Sequence, residues 1–67
     1  MITDKMMLLA SVIVNNLGGS NTVYGLTLEE QGGVMELTIS TETAAKRYEW
    51  NYSTESFEFR RNYPIEA

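Results

Sequence analysis

Near the start of the chain, Met6, Leu9, Ile13 and Leu17 fall at three- and four-residue spacing, the period of one helical stripe. Thr3 or Asp4 is suited to cap such a helix, and Lys5 through Asn16 contains neither glycine nor proline. Asn16, Gly18 and Gly19 supply a stop, so the expected helix covers residues 4–17. Met7, Leu8, Val12 and Val14 widen the stripe beyond a single face, and a helix of that kind is expected to be buried on more than one side. The competing reading is an all-β chain with residues 7–15 as its first strand, because Val12, Ile13 and Val14 are β-branched. Run length and the cap signals favour the helix.

From Asn21 the period changes to two. Tyr24, Leu26 and Leu28 alternate with polar or small residues, as do Met35, Leu37 and Ile39, then Tyr48, Trp50 and Tyr52, then Phe57 and Phe59. This predicts four half-buried strands, at about residues 21–29, 34–41, 46–52 and 57–62. Gly32 and Gly33 mark the first turn, Ser53 to Ser56 the last, and Pro64 the end of regular structure. Residues 41–46 fit a loop, a helical turn or a strand extension equally well.

A register that pairs Leu28 with Met35, Ile39 with Tyr48 and Tyr52 with Phe57 gathers every large apolar residue on one side. The opposite side then carries Thr27, Glu36, Thr38, Glu49, Asn51, Glu58 and Arg60, a face suited to water in an antiparallel sheet. The expected fold is therefore α+β, a single small domain over residues 1–67 with an N-terminal helix on one face of a four-stranded antiparallel meander.

Area makes that picture incomplete. Four seven-residue strands span about 19 Å by 23 Å. A fourteen-residue helix is about 21 Å long and 10–12 Å wide, enough for roughly half the sheet face. Met7, Leu8 and Val12 on the helix, with Trp50, Tyr52, Phe57 and Phe59 on the sheet, form the expected interface set, since exposed patches of this kind mark contact surfaces. The tail, through Tyr63 and Ile65, is the other candidate cover.

Composition narrows the chemistry. A chain of 67 residues without cysteine or histidine has no disulfides, no thiolate or imidazole metal ligands and no histidine general base. Short domains offset a thin stability margin with disulfides, metals or association, and association is the route left open. Nine acidic residues against five basic ones disfavour nucleic acid, whose binding draws on phosphate neutralisation. The apolar run of residues 6–14 is too short to span a bilayer, and Asp4 before it does not suit a secretory leader. A cytoplasmic location and no membrane are expected.

Two clusters carry some chemistry. Lys46, Arg47, Arg60 and Arg61 gather at one end of the last hairpin, a candidate site for a small anion or, with Tyr48 and Trp50, for single-stranded nucleic acid. Glu49 and Glu58 are a diagonal carboxylate pair, but an open strand face has no pocket in which to tune them. Asn51-Tyr52-Ser53 matches the glycosylation triplet, which matters only in a secreted chain. Residues 12–26, VIVNNLGGSNTVYGL, resemble the segment around the Asn-x-Leu-Gly of dihydroxyacetone kinase substrate-binding subunits. That family holds its substrate through a histidine, and this chain has none, so no residue role is carried across. The expectation is a non-enzymatic protein-interaction module of accessory or inhibitor type, without cofactor or metal, whose partner is a second copy of itself as a homodimer.

Overall fold

The computed structural model describes residues 1–18 and 22–64. One helix, α1 (Asp4–Gly18), is followed by β1 (Val23–Gln31), β2 (Val34–Thr41), β3 (Ala44–Asn51) and β4 (Ser56–Pro64). The strands form one antiparallel sheet in the order β1-β2-β3-β4, with α1 across one face. This is the expected α+β meander. Gly19 of the helix stop, the Asn21 strand start and Ile65 of the tail lie outside the described residues.

Thr3 caps α1. Its Oγ1 accepts a hydrogen bond from the Met6 amide at 3.2 Å, satisfying one of the donors that a helix start leaves over. Met6, Leu9, Ala10, Ile13, Val14 and Leu17 turn towards the sheet. Met6 packs with Met35 and Trp50. Ala10, too small to hold the layers apart, lies with Leu37 and Ile39. Strand β2 is the floor of this core: Met35, Leu37, Ile39 and Thr41 are buried and alternate with half-buried neighbours. The radius of gyration, 11.8 Å, exceeds the roughly 10.9 Å of a compact chain this long, as suits a slab only one helix deep.

The first two hairpins close more tightly than the expected register, and the last keeps a four-residue turn moved one position towards the N-terminus. Leu28 pairs with Leu37 instead of Met35, Leu37 with Tyr48 where Ile39 was expected, and Trp50 with Phe57 where Tyr52 was expected. The turns account for this. Gly32 and Gly33 have φ of 58° and 80°, the mirror-type turn whose twist matches two flanking strands, so Glu30 and Gln31 join β1. The Thr41 hydroxyl donates to the Ala44 carbonyl at 3.0 Å and accepts from the Ala44 amide at 3.2 Å. That closes a short turn and starts β3 at Ala44, resolving the segment that sequence left open. Asn51 Oδ1 accepts from the Ser53 and Thr54 amides at 2.9 and 3.2 Å, organising the last turn. Every shift is two residues, an even number, so the faces survive.

Two bulges change face assignments. In β1 the pairing steps from Val23↔Thr41 to Gly25↔Ser40, leaving Tyr24 as the extra residue, 71% exposed. Val23 takes the core position expected for Tyr24. In β4 the pairing steps from Tyr48↔Phe59 to Arg47↔Arg61, so Arg60 is extra and the residues beyond it change sides.

The turn glycines give a direct test. Gly33→Ala places a side chain at positive φ and is expected to lower stability by about 1–2 kcal/mol in urea unfolding. Gly25→Ala has open space and no positive φ, and is expected to be neutral or stabilising by about 0.4–1 kcal/mol. Equal effects at the two sites would contradict this account of the turn.

Candidate functional site

The polar face is a charge-matched network. Arg47 Nε lies 3.3 Å from Glu36 Oε2, off the angle of a hydrogen bond, so the contact is electrostatic and the buried Nε–H lacks an acceptor. Arg60 reaches Glu49 at 3.4 Å and Glu58 at 3.2 Å. Those two glutamates are direct cross-strand partners, where a diagonal placement was expected. The Arg60 fork offsets the repulsion of like charges facing each other. The guanidinium of Arg47 also stacks on the Tyr63 ring, 5.4 Å from its centroid.

The four basic residues of the candidate anion site do not share a face. Arg47, Arg60 and Arg61 are on the polar side. Lys46 is on the helix side, where Nζ donates to Asn62 Oδ1 at 3.1 Å and lies 5.9 Å from the Phe59 centroid. Arg61 makes no ion pair among the described residues. Beside Arg47, a shallow groove of about 250 Å³ runs along Thr27, Glu29, Gln31, Glu36 and Thr38. Its two carboxylates outnumber its one cation, which suits an anion poorly.

On the helix side, the expected interface set divides. Trp50 is 8% exposed and packs on Met6; it belongs to the core, together with half-buried Phe57, because α1 lies over that strand pair. Trp50 and Phe57 meet edge to face at 4.8 Å, as Tyr48 and Phe59 do at 5.5 Å. Burial pushes the Tyr48 hydroxyl pKa up. Met7, Leu8, Val12, Tyr52 and Phe59 are exposed, from 46% at Val12 to 65% at Leu8.

The exposed apolar side chains lie on both flanks of α1. Leu9 packs towards Trp50 and Phe57, and Val12, three residues on, points the same way. Met7 faces the other flank, where it lines an apolar groove of about 290 Å³ with Ile2, Ala10, Ser11, Leu26 and Leu28. Ile2 and Leu26, 45% and 46% exposed, were missed as surface-site residues. A signal for Ile2 was present: with Thr3 as cap, Ile2 and Met7 hold the two positions of a hydrophobic staple.

At the helix start, Lys5 Nζ donates to Glu55 Oε2 at 2.6 Å and ties α1 to the last turn. The contact holds the Glu55 carboxyl below the usual carboxylate range. Among the described residues no group of three acidic side chains gathers as a metal site. No helix among them is long and apolar enough to cross a membrane. Comparison of the chain with protein-family models, curated proteins and solved structures finds no match.

Proposed function

We propose that this chain is a small non-enzymatic protein-interaction module that self-associates, of the accessory or inhibitor kind. The observation that carries the reading is the exposed apolar surface of α1, Met7, Leu8 and Val12, flanked by exposed Leu26 on one side and Phe59 on the other. Apolar surface of this extent on a chain of 67 residues is an interface signature. The alternative reading, a small anion or single-stranded nucleic acid at the basic end of β3 and β4, has less support. Glutamates match Arg47 and Arg60, and Lys46 is on the opposite face.

Solution mass from light scattering across a dilution series tests the proposal. Two chains per particle at high concentration, with dissociation on dilution, is the expected result. Met7→Glu, at a position 55% exposed, is expected to keep the circular dichroism of the parent and weaken association about tenfold or more, the effect of losing roughly 1.4 kcal/mol. A strict monomer at every concentration overturns the reading.

A further inference from the structure

We propose that the mating element is the free edge of β1, which pairs antiparallel with β1 of a second copy to make one continuous eight-stranded sheet. The inference rests on the reading that the chain self-associates and names the surface and register.

The two sheet edges are built differently. The β4 edge carries the Arg60 bulge, the charges of Arg60 and Arg61, and Pro64, which has no amide donor; these are the usual devices against strand addition. The β1 edge has none of them between Gly25 and Leu28, where the pairing with β2 is regular and no residue is charged. Beside it lies the apolar groove of Ile2, Met7 and Leu26.

Backbone geometry selects the register. A two-residue hairpin closed by Gln31 and Val34 directs the amides and carbonyls of Gln31, Glu29 and Thr27 towards β2. Those of Glu30, Leu28 and Leu26 point outwards. Antiparallel pairing of two such edges with Thr27 on the two-fold axis makes Leu26 of each copy the hydrogen-bonded partner of Leu28 in the other. Both leucines stay on the helix side, so the two grooves meet. Glu29 then faces Gly25, and Glu30 faces the exposed Tyr24 ring, so no carboxylate opposes another. Sliding the copies two residues towards the turn puts Leu28 on the axis and sets each Glu30 carboxylate against the apolar Leu26 of the other copy; sliding them the other way sets Tyr24 of the bulge against Leu28.

The area suffices. At their fractional exposures, Ile2, Met7, Tyr24 and Leu26 leave on the order of 500 Å² per chain open to solvent. Doubled, that meets the roughly 1,000 Å² total expected of a specific interface.

The chain has no cysteine, so a single introduced thiol reports the register cleanly. On the axis the two Thr27 residues form a non-hydrogen-bonded pair with Cα atoms about 4.5 Å apart, within disulfide reach. Under mild oxidation Thr27→Cys is expected to become mostly a linked dimer. Thr38→Cys, beside it on the inner strand β2, is expected to stay monomeric on non-reducing gels. Leu26→Pro, which removes an outward amide, is expected to shift the solution mass from two chains to one. Should that variant fail to fold, the cross-linking pair still decides. Association of the parent chain without preferential linkage of Thr27→Cys overturns the β1 edge and leaves self-association standing. A parent chain that is monomeric throughout overturns both.

Discussion

Leu37→Ala is expected to leave the chain largely unfolded at room temperature. Leu37 has no exposed surface and lies on β2 against Ala10 and Ile39. Truncating a buried leucine costs about 2–5 kcal/mol, depending on how far the surroundings collapse into the space. Here collapse is limited, because the residue above is alanine and the inner strand is held by pairing on both sides. A domain of this length holds only roughly 3–10 kcal/mol in total, so the loss is most of the reserve. Circular dichroism in urea measures it, with Leu26→Ala as the comparison. Leu26 shares the face but is 46% exposed, and its truncation is expected to cost about 1 kcal/mol. An unchanged urea midpoint for Leu37→Ala would show that β2 is not the floor of the core.

The elements and faces were legible in the chain, and the pairings were not, for one physical reason. A side-chain period of 3.6 or 2 records which face a residue occupies. It does not record how many residues a turn consumes. Slipping Leu28 from Met35 to Leu37 keeps every apolar residue on its side, so hydrophobic pattern alone cannot distinguish the two registers. The deciding features are backbone ones: the positive φ of Gly32 and Gly33 and the Thr41 hydroxyl bonded across its own turn. Bulges are harder still, because Tyr24 and Arg60 look like ordinary alternating positions until the ladder steps past them. Gly25 beside Tyr24 was the available hint.

The candidate surface follows the same division. Exposure of Met7, Leu8 and Val12 follows from helical angle once Met6, Ala10 and Ile13 define the buried side. The fate of the aromatic residues depends instead on where the helix lies across the sheet, which no period encodes. Trp50 and Phe57 fall beneath it, while Tyr52 and Phe59 remain outside. The basic cluster fails to assemble because Lys46 lies on the helix side against Asn62, while Arg47 and the bulged Arg60 settle against glutamates of the polar face.

Trp50→Ala is therefore expected to act as a core substitution. Trp50 packs on Met6 and Met35 and edge to face on Phe57, and removing a buried aromatic of this size costs about 3–5 kcal/mol. Association disappears with it, but only because the fold does. The distinction is measurable: Trp50→Ala shifts the urea midpoint at concentrations where the parent chain is monomeric, whereas Met7→Glu changes solution mass and leaves that midpoint within about 1 kcal/mol of the parent. Trp50→Phe, which keeps an aromatic ring against Met6, is expected to recover part of the loss. If Trp50→Ala instead dissociated the chain without destabilising the monomer, the indole would have to face the partner, and α1 would not cover the β3–β4 pair.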